Sequence, residues 1–594
     1  MASSAEGIRW NLNDLFTAAD DPEIENTLAD CRARAKAFAK RVRSLMQNPQ
    51  TLGAEDLLQA LTELESIYEA LGRVGSYAGL LYAADTANPV HQDLEQKVEQ
   101  RSTEIHNLLL FFELEWLKFD DPVADRLLGN ERLKSYTHYL RNIRRYRPHT
   151  LAEPEEKIVN EKDNTGRNAF GRLFSEITSA LLFTLDIDGK QEPRNLSQML
   201  SLLHDPDRTL RQRAMETLYR GLSEQGQVLS FIYDTLIQDH ITMDRLRRYA
   251  DPLAQRHLSN EIDPNAVKIM MEVTEDHYHL AQDYFRLKAK LLGLPRIALY
   301  DQYAPLGKEA RSFRYAQARE LILEAFQSFD PSFRRLAAEF FANSWVDAEV
   351  RNGKRGGAFC ASPSPKLHPY ILCNYDDHLR DAMTLAHELG HGLHGCLSRK
   401  QNYFNYDTPL TTAETASVFA EMLVFDDLLA RQTDSQARIA LVAGKLEDIF
   451  ATVFRQNVLT RFEETAFAAR QEKRLTPEML GKLWIEANEK YYGDAVDMPD
   501  GYRWGWSYIP HFIHSRFYCY SYVFGQLLVL ALYRMYKDQG KSFVPKYLAL
   551  LEAGGSDSPE ALLRPMGVNI HDREFWRKGF EEIAGMIATF QKLI

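Results

Sequence analysis

Thr384 to Leu397 reads TLAHELGHGLHGCL, and within it His387, Glu388, Leu389, Gly390 and His391 stand in succession. On a helix, residues i and i+4 share a face one turn apart, so both imidazoles project to the same side. Two nitrogens so placed suit one zinc ion, which takes neutral imidazole readily. Glu388 points to a neighbouring sector, as befits a carboxylate that works on water rather than on the metal. The flanking segment 376–398 carries Leu379, Met383, Ala386, Leu389 and Leu393 at three- and four-residue spacing, which predicts a helix capped by Asp376 or Asp377. The plainer alternative is two ordinary histidines on a helix face with Glu388 exposed.

A catalytic zinc needs three protein ligands and an open position. His394, one turn after His391, cannot converge with the other two from a straight helix, so it is read as a packing residue. The next helical run, 411–430, offers Glu414 in its first turn and Glu421 on nearly the same side. Glu414 has two readings from spacing alone: third ligand, or the closing member of a capping box opened by Thr411. Glu421 and Asp381 are candidates to orient a ligand imidazole, whose second N–H needs an acceptor.

Outward from this centre, Arg351 to Pro365 is glycine-rich, and His368 to Asn374 (HPYILCN) predicts a short strand before the helix. Such a strand suits docking of a peptide backbone at a sheet edge. Downstream, Asp500 to Phe524 is dense in aromatics and holds His511, Tyr518, Tyr520 and Tyr522. Amide hydrolysis needs donors aimed at the developing oxyanion, and histidine and tyrosine supply them. The first 150 residues read as helices over 24–46, 54–83 and 89–116, and the basic run Arg141 to Arg147 reads as an ion-paired helix end. A hairpin is predicted within 182–195.

HELGH followed by Ala413-Glu414-Thr415-Ala416-Ser417 resembles the M3 family of zinc oligopeptidases, within it the oligoendopeptidase F branch. Supporting stretches are Gly353 to Cys360, His368 to Leu372, Lys162-Asp163-Asn164-Thr165-Gly166-Arg167 and Ile509 to Phe512. The likeness runs over nearly the whole chain. It implies a mostly α-helical, two-lobed peptidase with a deep internal channel and a small β element near the metal-binding helix. It implies one zinc per chain on His387, His391 and Glu414, with Glu388 as catalytic acid/base. It also implies oxyanion donors at His511 and the tyrosines, of which Tyr518 and Tyr520 are put forward with it. The family's glycine-rich turn between that histidine and the tyrosines is replaced here by Ile513-His514-Ser515-Arg516. The expected substrates are short, unstructured oligopeptides cut at internal bonds. Two alternatives are a catalytically silent peptide-binding scaffold and a zinc endopeptidase of larger unfolded chains.

With 594 residues the chain exceeds one compact core, and three regions are expected: 1–120, 121–195 and a catalytic region over 196–594. Hydrophobic content of 45% with 26% charged residues is that of a soluble globular protein. A net charge of -12 argues against a nucleic-acid partner. No apolar run is long enough to span a bilayer, and the first ten residues lack a signal core. The 5 cysteines form no CxxC pair, which fits a reducing compartment, with cytoplasm as the default. A monomer is the expected state.

Overall fold

The computed structural model describes residues 3–187, 189–307 and 313–594. Helices carry the architecture, as the periodicity predicts. Pro22–Met46 starts where the Asp21 carboxylate accepts from the Glu23 N–H, and it buries Ile24, Leu28, Cys31, Ala35, Phe38, Val42 and Met46. That three-to-four spacing forms one apolar stripe, which packs on Ala54–Ala84 and Pro89–Leu109. The third predicted helix is broken at Leu110 and resumes as Phe111–Lys118. The basic run after it is an ion-paired end: Asp121 takes Arg144 at 2.5 Å and Arg147 at 2.9 Å.

Contacts divide the chain into two compact units that do not follow the three expected regions. The first is Met1–Arg147, Ala310–Arg431 and Met535–Asn569; the second is Pro148–Glu309, Gln432–Arg534 and Ile570–Ile594. A reading along the chain detects changes in local pattern. A unit assembled from three separated segments of similar composition leaves no such change.

Seven short strands are present among the described residues: β1 (Phe183–Ile187), β2 (Lys190–Arg194), β3 (Ile297–Ala298), β4 (Val346–Asp347), β5 (Phe359–Ala361), β6 (Tyr370–Leu372) and β7 (Val496–Asp497). In the second unit β1 and β2 form the expected hairpin, and β3 pairs in parallel with β7. In the first unit the order is β4-β6-β5, with β6 parallel to β4 and antiparallel to β5. This alters the expectation for 368–374: that stretch supplies the central strand, whose Tyr370, Ile371 and Leu372 are buried. The edge beside it is β5, inside the glycine-rich stretch. Lys354 ties that stretch to the sheet, with Nζ 2.7 Å from Asp347 Oδ1 and 2.6 Å from the Cys373 carbonyl.

The helix Leu379–Ser398 packs against Ser417–Arg431, Val544–Glu552 and the strands β5 and β6, all within the first unit. Its start is set by Asp381, whose Oδ2 accepts from the N–H groups of Asp376 (2.8 Å) and His378 (3.0 Å). All five cysteines are free thiols. Among the described residues no helix is long and apolar enough to cross a membrane.

Candidate metal and catalytic centre

The run expected to be one helix over 411–430 is two: Leu410–Ala413 and Ser417–Arg431, with Glu414 at the break. Placed there, Glu414 closes no capping box. Its side chain turns to the HELGH helix, with Oε2 3.3 Å from His387 Nε2 and 3.4 Å from His391 Nε2. The two Nε2 atoms are 3.2 Å apart. Zinc bonds of about 2.0–2.1 Å at tetrahedral angles separate neighbouring ligand atoms by about 3.3 Å. The three atoms therefore fit one face of a zinc tetrahedron, and they form a metal-capable group among the described residues.

Two of the three donors, His387 and Glu414, are held from behind. His387 Nδ1 lies 2.5 Å from Glu421 Oε1, so the ring N–H donates to Glu421 and is oriented by it, while Asp381 is occupied at the helix start. Ser417 Oγ donates to Glu414 Oε2 at 2.6 Å. The Tyr547 hydroxyl donates to the Thr415 carbonyl at 2.8 Å and steadies the break. Gly390 lets the two segments touch: a Cβ there would lie 2.6 Å from the Ala416 carbonyl oxygen and from Ser417 Cα. Ser417, Tyr547 and the role of Gly390 escape sequence reasoning, although a glycine between two histidines in mid-helix is a visible mark of close approach.

The electrostatics match the packing. Burial alone would lower the His387 pKa, but the Glu421 hydrogen bond and the charges of Glu421, Glu414 and Glu388 lift it to about 9. Burial would raise Glu414, yet His391, His387 and Ser417 hold it at about 2. Glu388 is buried, and burial outweighs the two histidines and keeps its pKa above the usual carboxylate value. His394 is buried, lines the same cavity and is pushed down to about 4 by burial and by His391; its ring nitrogens do not join the group that His387, His391 and Glu414 form. His387, Glu388, His391 and Glu414 line a cavity of about 700 Å³ together with Phe359 and Cys360 of β5.

The aromatic segment lies in the second unit. His511 Nε2 is 3.3 Å from the Tyr522 hydroxyl, and its ring stacks on Tyr518 at a centroid distance of 5.9 Å. Tyr520 is placed differently. Its buried hydroxyl accepts from Asn260 Nδ2 at 2.8 Å and bonds His257 Nδ1 at 3.0 Å, so it is a core residue and not an available donor. The helix Cys519–Gln539 explains the split: Tyr520 and Tyr522, two residues apart on it, point to different sides, while Tyr518, just before its first residue, meets the Tyr522 ring at a centroid distance of 5.0 Å.

A helix-borne histidine pair meeting a carboxylate from the next segment, with a buried glutamate beside it, is the arrangement of a metallopeptidase. The comparisons agree. Residues 201–582 match the model of peptidase family M3, and residues 115–183 match that of oligopeptidase F. Oligopeptidase PepF of Bacillus subtilis is 29% identical over 528 residues, covering 88% of this chain and 78% of that protein. The oligoendopeptidase F homolog of Lactococcus lactis subsp. lactis is 27% identical, covering 99% and 98%. Among solved structures, the oligoendopeptidase-F of Enterococcus faecium superposes with a TM-score of 0.71 at 23% identity, over 97% of this chain and 99% of that one, a likeness of fold. The chain belongs to peptidase family M3, on its oligoendopeptidase F branch, and is a metalloendopeptidase.

Proposed function

We propose that the protein is a zinc-dependent endopeptidase that cleaves internal bonds of short, unstructured oligopeptides. The observation that carries this is the triangle of His387 Nε2, His391 Nε2 and Glu414 Oε2, with edges of 3.2, 3.3 and 3.4 Å. Relatives named as oligopeptidase and oligoendopeptidase support the substrate class.

His387, His391 and Glu414 would hold a zinc ion, which would supply Lewis acidity toward a peptide carbonyl and water. Glu388 takes a proton from the attacking water and passes it to the leaving amine. Its raised pKa brings it nearer the operating pH, which favours both transfers. Glu421 fixes the tautomer and angle of His387. The β5 edge, whose Phe359 and Cys360 line the cavity, accepts substrate backbone by strand addition. His511 and Tyr518 are the proposed donors to the oxyanion. The free thiols favour a reducing compartment such as the cytoplasm.

The test is metal analysis with cleavage of a quenched peptide, with and without chelator. Zinc at one per chain and chelator-sensitive cleavage are expected. Glu388→Gln should keep the metal and lose nearly all turnover; normal turnover in that variant removes the assigned role. Metal and peptide bound without cleavage by the wild type would favour the silent scaffold.

A further inference from the structure

The cavity of the metal centre holds charge that the proposed hydrolysis does not use. Besides Glu388 and Glu414, one further carboxylate lines it, Asp407, and no lysine or arginine does. Asp407 directly follows the short helix Tyr403–Tyr406. That helix is braced at Asn405, whose carbonyl accepts from the Gly555 N–H at 2.8 Å and whose Nδ2 donates to the Ser135 carbonyl at 2.7 Å. All of these residues belong to the first unit, as does the metal centre.

Among the described residues the Asp407 side chain forms no ion pair and accepts no hydrogen bond. The basic residues that precede it in the chain are engaged elsewhere: Arg399 Nε donates to the Pro365 carbonyl at 2.9 Å, and Lys400 Nζ pairs with Glu552 at 2.7 Å. Asp407 is open to solvent yet closely surrounded by protein, and that burial raises its pKa above the usual carboxylate value with no cation to offset it. Glu414, in the same lining, is held low by the two histidines and Ser417. His394 gives an independent sign of an unfilled site. It is only 8% exposed, it lines the cavity, and its side chain has no hydrogen-bond partner among the described residues, while its ring nitrogens are not sealed from the cavity. Buried polar groups are ordinarily paired, and a neutral imidazole offers one acceptor nitrogen.

We propose that Asp407 and His394 form a subsite for a positively charged group of the peptide substrate, a lysine or arginine side chain or the N-terminal ammonium. Such a group supplies the charge Asp407 lacks, in charge-assisted hydrogen bonds, and donates to the open imidazole nitrogen. An acidic side chain would meet the carboxylate with no lysine or arginine in the lining to balance it. A cavity of about 700 Å³ has room for side chains that flank a bond cut at the metal. The choice of a peptide as the carrier rests on the function proposed above.

The experiment compares cleavage of matched peptides by the zinc-loaded protein. The pairs differ by lysine against norleucine or arginine against citrulline beside the cleaved bond, and by a free against an acetylated N-terminus. At least one charged member should be cut with kcat/KM about tenfold higher, the equivalent of one charge-assisted hydrogen bond. The pair that responds identifies the group. Asp407→Asn, at an exposed position, should bring that ratio close to unity, and Asp407→Lys should invert it. His394→Phe, checked for metal content, should narrow the ratio; an undiminished ratio there removes His394 from the subsite. Equal cleavage of charged and neutral peptides by the wild type, or a preference that survives Asp407→Asn, overturns the proposal. Binding of the same pairs to the metal-loaded Glu388→Gln protein separates this reading from the activity: a preference for the charged peptide in binding, with no cleavage by the wild type, leaves the subsite standing and overturns the proposed activity instead.

Discussion

Gly390→Ala probes whether the metal centre depends on contact between two backbones. The added Cβ would stand 2.6 Å from the Ala416 carbonyl oxygen and Ser417 Cα, and both are main-chain atoms that no side-chain rotation can clear. Reaching the 3.4 Å of ordinary contact requires the segments to part by about 0.8 Å. Glu414 lies two residues before Ala416, and metal–ligand distances tolerate only about 0.2 Å. The expected result is zinc affinity reduced by about 10–100-fold, as when a ligand loses its orientation, and turnover reduced by about 10²-fold. The fold should survive: overpacking costs about 1–3 kcal/mol, and replacing a helical glycine with alanine returns about 1 kcal/mol. Zinc titration against a chelator, peptide cleavage and thermal melting read the three effects. Gly585→Ala, in the helix Arg573–Leu593 with nothing within 4 Å of the new Cβ, is the control and should raise stability slightly. Wild-type zinc affinity and turnover in Gly390→Ala would show that the backbone contact does not hold Glu414.

Glu421→Ala removes the partner of His387 Nδ1 and should weaken zinc binding by about 10–100-fold, read by chelator competition; an unchanged affinity would refute its orienting role. Tyr520→Phe leaves Asn260 and His257 without their shared hydroxyl. It should cost about 1–3 kcal/mol of stability in denaturant unfolding and leave kcat/KM near wild type, whereas lost activity with an unchanged melt would make Tyr520 a functional donor after all. Lys354→Met leaves Arg351 as the remaining charged partner of the buried Asp347 and unties the Cys373 carbonyl; it should cost about 1–3 kcal/mol, measured the same way, and an unchanged stability would mean Arg351 alone suffices for Asp347.

The paired histidines were legible because helical spacing is a local property, and a turn of helix is all the relation between His387 and His391 requires. Glu414 was half legible. A Thr-Thr-Ala-Glu run writes a capping box and a helix break that turns Glu414 toward the histidines in the same letters, and the Gly390 contact across two segments accompanies the second. Tyr520 was misplaced because alternation of Tyr518, Tyr520 and Tyr522 reads as period two, while the chain has already entered a helix at Cys519. Central and edge strands were exchanged in 359–372 for a related reason. HPYILCN shows its apolar character in sequence, but β4, which covers its second side, comes from residues 346–347 and is only two residues long. The two-unit division depended on long-range packing throughout and left no local trace.

The Tyr547 hydroxyl that steadies the Thr415 carbonyl belongs to the last segment of the first unit to be synthesised. A ribosome delivers HELGH and Glu414 well before it delivers that brace, and the second unit's residues 432–534 come between. The nascent polypeptide therefore carries the turn at Glu414 without this brace until residue 547 has been made. A Tyr547→Phe variant should therefore keep His387, His391 and Glu414, the proposed ligands, and hold metal more weakly than the wild type.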